Sequence, residues 1–353
     1  MLLRTIAFSF AALLCAVPLV FAQENGQEPA VFSNDYPAGT PRVKAACSLL
    51  PIKYIIDRIG GEYIDSLALI PAGFEPHTFE PKSSQLAAFS QADVYFSLEM
   101  PVERLWLGRF SSLGEQVHVV SLMEPLAAAG LLLAETDDHA HGSDDGTGAG
   151  HTPAGDNDPA HDGESSGAAA DEENQAHFDY DGYDPHVWMA PSLLKLLADT
   201  VKAGLSEQMP EQAAYFEKNC RTLLRQIEGL DERVKKILSA LPAEKRSFLV
   251  FHPSWTYFAK EYGLVQMAIE QDGKEPTPMS LAMIIQDARK TGIGTIFVQK
   301  EFNPGVAATV ASHLPDGRVE ILDPLGANPL RAIQEAAAAI SGQDESESGN
   351  GGQ

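Results

Sequence analysis

The stretch from Glu135 to Asp184 decides how the rest of this 353-residue chain can be built. It holds 15 Asp and Glu, no Lys or Arg, and five of the ten histidines. From about residue 135 to 180 it consists of Gly, Ala, Ser, Asp and His with almost no large apolar side chain. Such a composition cannot bury enough apolar surface to offset its ordering entropy, so this insert is expected to be disordered. Folded structure must come from the sequence on either side.

On both sides, strand and helix patterns alternate. Residues 42–50 read as a strand, and Ile52, Ile55, Ile56 and Ile59 then form a helical stripe that ends at Gly60-Gly61. Residues 64–70 read as a strand, 83–92 as a short helix, and 94–98 and 117–121 as strands. After the insert, 191–207 returns to helical spacing. Residues 211–241 form a long amphipathic helix with Phe216, Leu223, Leu224, Ile227, Leu230, Val234 and Leu238 on one face. A second set follows, with strands at 247–251, 265–269, 295–299 and 319–322 and helices at 255–262, 280–290, 304–313 and 331–340. Strands alternating with helices imply βαβ units and parallel sheets. The fold class is therefore α/β, with two units, each a parallel sheet flanked by helices, joined by one long helix. The expected boundaries are 42–208 for the N-terminal unit with its insert at 135–180, 211–241 for the joining helix, 245–342 for the C-terminal unit and 343–353 for a disordered tail.

Charge follows the same division. The chain carries −24, but outside the insert, the tail and the leader the remainder carries only −7. An acidic balance argues against nucleic acid as a partner, because phosphate binding needs a basic footprint. It also disfavours an anionic membrane surface and allows cationic ligands, metal ions among them. The first 22 residues have one charge, Arg4, then an apolar run from Ile6 to Phe21 ending Val20-Phe21-Ala22. This reads as an export signal cleaved near Ala22, and the run is short for a membrane span. Cys15 follows Leu13-Leu14, which does not suit a lipid attachment site. The expectation is a periplasmic, monomeric protein without a lipid anchor. Two cysteines remain, Cys47 and Cys220; an oxidising compartment permits a disulfide, but separate small core residues are the simpler reading.

The histidines fall into two kinds. His77, His186 and His252 each sit beside a proline at a strand end or turn, where ligands bind in open α/β sheets. Asp323 in Ile-Leu-Asp-Pro also follows a strand. Three imidazoles and a carboxylate make a good tetrahedral zinc set. His118 alternates with Val117 and Val119 and reads as an edge residue; His313 lies at a helix C-terminus, where a cation suits the dipole. The second kind, His139, His141, His151, His161 and His177, lies among carboxylates in the insert and suits weak, exchanging metal binding. No His-Glu-x-x-His helix, nucleophile elbow, P-loop or dinucleotide fingerprint occurs, and Gly292-Ile-Gly294 lacks a third glycine.

Five segments carry a resemblance. Pro76-His77-Thr-Phe-Glu-Pro, Asp184-Pro-His-Val-Trp, Phe251-His-Pro-Ser-Trp-Thr-Tyr-Phe-Ala, Ile269-Glu-Gln-Asp-Gly-Lys-Glu-Pro and Leu322-Asp-Pro-Leu-Gly resemble, in order, the periplasmic zinc-binding proteins of high-affinity zinc ABC transporters. The likeness runs from about residue 42 to 340. It implies two α/β lobes joined by a rigid helix, with a metal between them held by His77, His186 and His252. The fourth ligand it implies is an acidic residue or water: Asp323 matches the carboxylate of manganese-type relatives, whereas in zinc-type relatives an acidic residue often directly precedes the first His, and here Glu75 lies one residue further back. Manganese relatives also carry a carboxylate at the position of His252, so imidazole there points to Zn²⁺ rather than manganese or iron. The implied partners are an inner-membrane permease and its ATPase, and the implied role is not enzymatic; a secreted zinc metalloenzyme would be the alternative from another class.

Overall fold

The computed structural model describes Phe32 and residues 42–112, 117–134, 182–270 and 276–342, without the side chains of 109–112. The expected leader, most of the insert with its five histidines, and the tail lie outside the described residues.

The first unit opens with β1 (Val43–Cys47), α1 (Leu50–Gly60) and β2 (Ile64–Ala68), and continues with α2 (Ser83–Phe89), β3 (Val94–Ser97), α3 (Pro101–Ser112), β4 (His118–Ser121) and α4 (Glu124–Ala128). Its four strands run parallel in the order β2-β1-β3-β4. After the insert come α5 (Pro191–Gln208) and the 27-residue α6 (Ala213–Ser239). The second unit contains β5 (Ser247–Val250), α7 (Thr256–Tyr262), β6 (Val265–Ala268), α8 (Pro278–Thr291), β7 (Thr295–Val298), α9 (Gly305–Ala311), β8 (Arg318–Ile321) and α10 (Pro329–Ser341). Its parallel sheet repeats the first order, β6-β5-β7-β8. The α/β class with two parallel sheets and a long helix is as expected. Two helices were not anticipated, α3 and α4. The long helix starts at Ala213 rather than Glu211, because Pro210 opens a short 3-10 turn over Pro210–Gln212.

Side-chain period explains how the layers close. Along β5 and the residue after it, Phe248 and Val250 enter one apolar cluster while Leu249 and Phe251 enter the other, as a period of two requires for a strand buried on both faces. The larger cluster does not stop at a unit boundary. It takes in Cys47 and Ile56 of the first unit, Leu194 of α5, the stripe Phe216, Cys220, Leu223, Ile227, Leu230, Val234 and Leu238 of α6, and Phe258 and Ile333 of the second unit. Polar ties fix both ends of α6. Asn219 donates to the carbonyl of Ile59 (2.9 Å) and Arg58 to Gln226 (2.8 Å); at the other end Tyr262 donates to Asp231 (3.0 Å) and Arg246 to the carbonyl of Leu238 (3.1 Å). The Trp188 indole N–H donates to the carbonyl of Pro324 at 2.8 Å, a further link from the start of α5 to the second unit.

Parallel strands end on one side of their sheet, so the loops after β2, β5, β6, β7 and β8 deliver His77, His252, Glu270, Gln299 with Glu301, and Asp323 respectively. No helix among the described residues is long and apolar enough to cross a membrane.

Candidate metal centre

His77 stands on a single 3-10 turn, Pro76–Thr78, and the residue that makes this turn is Glu75. Its Oε1 accepts the His77 N–H at 3.0 Å, and its Oε2 accepts the Thr78 N–H at 2.8 Å and the Thr78 hydroxyl at 2.9 Å. The carboxylate thus caps the turn's unpaired amides, and Oε1 lies 4.0 Å from His77 Nε2.

His186 precedes a second short turn, Val187–Met189, and is 7% exposed. Oδ1 of Asp184 accepts its backbone N–H at 2.8 Å and also lies 2.8 Å from its Nδ1. Burial of Asp184 works to raise its pKa, but the charge and hydrogen bonds of His186 outweigh it and hold the carboxyl below its usual range. The Asp184 carbonyl in turn accepts from the Tyr257 hydroxyl of α7 at 2.9 Å.

His252 leaves β5 into the loop before α7. Its Nδ1 lies 2.8 Å from Oε2 of Glu270, and its ring stacks on Phe302 with centroids 5.5 Å apart. The backbone N–H of Glu270 donates to the Phe251 carbonyl at 2.8 Å, so the partner is anchored to the strand end that carries the histidine.

These three histidines come from segments more than 60 residues apart, yet one ring nitrogen from each lies within 4.8 Å of the other two. Ring centroids are 6.1 Å apart for His77 and His186, 5.4 Å for His77 and His252, and 5.3 Å for His186 and His252. With Nδ1 of His186 and His252 facing carboxylates, Nε2 of each is the nitrogen left for a ligand, the arrangement that fixes the tautomer of metal-binding imidazoles. A tetrahedral ion with Zn–N of about 2.0–2.1 Å would bring such nitrogens to roughly 3.4 Å apart. The donor set fits zinc with a small inward movement. Between them lies a pocket of about 20 Å³, room for one or two water-sized bodies.

Asp323 is not part of this grouping. Its Oδ2 pairs with Lys300 at 2.8 Å and its Oδ1 accepts the Leu325 N–H at 3.0 Å, so it closes the Asp-Pro-Leu turn beside the pocket. Nor does Glu75 join the three nitrogens, although it lines the pocket. Two residues that sequence reasoning passed over do line it, Gln299 and Glu301 from the end of β7. Burial, with Asp323 and Glu75 nearby, pushes the Glu301 carboxyl up. Their signal was available in the rule that singled out the histidines, since both follow a strand, but it was read only for imidazoles and for Asp323. Asp184 and Glu270, the partners of two histidines, stood inside the motif segments without an assigned role.

The two other described histidines, His118 and His313, behave as their positions suggest. His118 on β4 is half exposed and faces Glu207 at 3.6 Å. His313, just after α9, has Nδ1 2.8 Å from the Thr309 carbonyl, as suits a helix end. Cys47 and Cys220 are both buried and free, in agreement with the reading as separate core residues.

The chain resembles known proteins along most of its length. It is 26% identical over 288 residues to zinc-binding protein AdcA of Streptococcus pyogenes, covering 80% of this chain and 50% of that one. The chain therefore spans about half the length of the AdcA proteins it matches. It is 27% identical over 259 residues to the high-affinity zinc uptake system protein ZnuA of Bacillus subtilis, covering 73% of this chain and 70% of that one. Among solved structures, a crystal structure of ZnuA superposes with a TM-score of 0.69 at 28% identity, covering 86% of this chain and all of that one. A zinc-bound ZnuA lacking its residues 138–173 superposes with a TM-score of 0.67 at 28% identity, covering 85% of this chain and 97% of that one. The family model for the periplasmic component A of zinc-uptake complexes matches residues 46–336, which takes in the second sheet, the first sheet except the start of β1, the joining helix and all three clustered histidines. The chain belongs to that family.

Proposed function

We propose that this protein captures Zn²⁺ in the periplasm at His77, His186 and His252, between its two lobes, and delivers it to an inner-membrane ABC permease driven by an ATPase. The observation that carries this reading is the convergence of three imidazole nitrogens within 4.8 Å, two of them from rings backed by buried carboxylates. An all-imidazole set is softer than the carboxylate-rich sets that suit manganese, and relatives bear the names of zinc-binding and zinc-uptake proteins. The role is transport, not catalysis. The leader at 1–22 directs export, the two lobes lie on either side of the joining helix Ala213–Ser239, and the mature protein acts as a monomer. His139, His141, His151, His161 and His177 of the insert gather zinc weakly near the tight site. Binding requires neutral imidazoles, so affinity falls as pH drops through the histidine range.

The test is His252→Ala in titration calorimetry with zinc. Loss of the tight site is expected; tight binding at wild-type strength would remove His252 from the site. Manganese should compete poorly in the same assay, and parity with zinc would favour a manganese carrier.

A further inference from the structure

His186 and His252 lean on different carboxylates, Asp184 and Glu270, yet both arrangements trace back to the start of α7. This helix follows directly from the loop of His252, and its second residue is Tyr257. The Tyr257 ring is 4% exposed and packs in the larger apolar cluster. Its hydroxyl makes two bonds whose direction is fixed. The Leu133 N–H can only donate to it, at 3.1 Å, and the Asp184 carbonyl can only accept from it, at 2.9 Å. Burial pushes the phenol's pKa up, so the proton it donates stays in place at neutral pH.

Asp184 is therefore held at both of its backbone groups, since its N–H also donates to the Leu133 carbonyl at 2.9 Å. Its carboxylate is left aimed at the backbone N–H and Nδ1 of His186. The start of α7 is itself fixed from β6. Gln266 accepts the Trp255 N–H at 2.7 Å and donates to the Thr256 hydroxyl at 3.1 Å. The end of β6 is also where Glu270 departs to meet His252. Two further ties join this segment to the second unit, Trp188 to the Pro324 carbonyl at 2.8 Å and the Ser192 hydroxyl to Glu261 at 2.7 Å, but neither touches Asp184.

We propose that Tyr257 is a positioning residue for zinc, acting through Asp184 to set the ring of His186 against that of His252. This rests on the assignment of the three histidines as the metal site. Without the hydroxyl, the Leu133 N–H and the Asp184 carbonyl lose the partner they share. A buried polar group without a partner costs free energy, so the segment shifts to recover one, and the ring shifts with it. One strand and the helix after it then govern the spacing of two ligands that lie 66 residues apart in the chain.

Zinc affinities of full-chain variants, measured by chelator competition, test this. Tyr257→Phe should weaken binding by roughly 3–10-fold, the scale of a hydrogen bond's net contribution. Tyr262→Phe is the control: it removes a hydroxyl bond from the same helix, to Asp231 at 3.0 Å, and should bind zinc as the wild type does. Double variants locate the path of the effect. Combined with Asp184→Asn, the loss from Tyr257→Phe should shrink, because both changes act on His186; combined with Glu270→Gln it should persist in full, because Glu270 orients the other ring. Wild-type affinity in Tyr257→Phe would overturn the proposal. So would an equal loss in Tyr262→Phe, or an undiminished loss beside Asp184→Asn.

A second measurement needs no variant. Linkage is reciprocal, so a clasp that favours zinc must be favoured by it. Zinc loading of the wild type should slow hydrogen exchange of the Leu133 amide more than that of Val265, whose N–H bonds the Arg246 carbonyl at the far end of β6. Equal slowing at the two amides would also overturn the proposal. In all these cases the wild-type chain still binds zinc and His252→Ala does not. If the wild-type chain bound no zinc, or His252→Ala bound it normally, the histidine assignment itself would fail.

Discussion

Oε2 of Glu270 lies 2.8 Å from Nδ1 of His252, with both side chains largely withdrawn from solvent. One comes from the end of β5 and the other from the end of its parallel neighbour β6, so strand pairing sets their approach. The carboxylate holds the ring in the tautomer that presents Nε2 to the pocket, and it makes that nitrogen a better donor to a cation. Replacing Glu270 by Gln removes the charge and leaves the shape. Zinc affinity should fall by roughly 10–100-fold in competition titrations while the thermal midpoint of the metal-free chain changes little. Unchanged affinity would mean that the ring is oriented by Phe302 and the backbone alone.

The insert can be shortened because its ends already meet. The Asp184 N–H donates to the Leu133 carbonyl at 2.9 Å, and Ala134 pairs with Tyr183 in an antiparallel bridge. The Tyr257 hydroxyl spans both ends, accepting from the Leu133 N–H at 3.1 Å and donating to the Asp184 carbonyl at 2.9 Å. Deleting residues 138–176 reduces the closed loop from 48 residues to 9. At about 0.6 kcal/mol per halving, the chain should gain roughly 1–1.5 kcal/mol. Calorimetry should then show one tight zinc equivalent with the weak ones gone. Disappearance of the tight equivalent would place part of that site within the insert.

Neither cysteine is poised for oxidation. Burial pushes the Cys47 thiol far up, and burial with Asp199 nearby pushes Cys220 up to about 11. The thiolate is the reactive form, so both should resist alkylation at pH 8 in the native protein and react fully in denaturant. Mass spectrometry of the native protein should find Cys47 and Cys220 as free thiols; a disulfide between them would contradict their separate burial in β1 and α6.

Glu103 offers a pH test away from the histidines. Its carboxylate is fully buried and accepts from the Tyr95 hydroxyl (2.7 Å), the Ser97 hydroxyl (3.0 Å) and the Met100 N–H (3.0 Å). Burial raises its pKa, and these hydrogen bonds only partly oppose that. A carboxyl raised on folding binds more protons in the folded state than in the unfolded one. Its contribution is complete below the unfolded value of about 4.3 and is lost as pH rises through the folded value. The stability of the metal-free wild type, measured against Glu103→Gln, should therefore decline from about pH 4.5 towards neutrality. A difference that grows with pH would show that the hydrogen bonds win over burial.

Local patterns made much of this legible. The strands, the long helix and the three histidines announce themselves within a few residues: an apolar run, a 3.6-residue stripe, a His beside a Pro after a strand. Helix α3 did not, because Glu103 is buried there and Leu105 is exposed, the reverse of what an apolar stripe needs. The partners of Asp323 were equally hidden. Lys300 reaches it only because β7 and β8 are neighbours, a fact of sheet order and not of spacing. Gln299 and Glu301 escaped for the same reason: their meaning depends on β7 lying against β5, which brings them to the histidine that leaves β5.

The apolar cluster that runs without a break from the first sheet through α5 and α6 into the second unit has a mechanical consequence. Tilting one sheet against the other would open a seam in that cluster. At about 25 cal/mol per Å², exposing even about 200 Å² costs about 5 kcal/mol, much of the total stability of an ordinary domain. A jaw that closes on its cargo is therefore an expensive design for this chain. A rearrangement confined to side chains at the pocket leaves that seam closed, and of the three clustered histidines His77 is the most exposed.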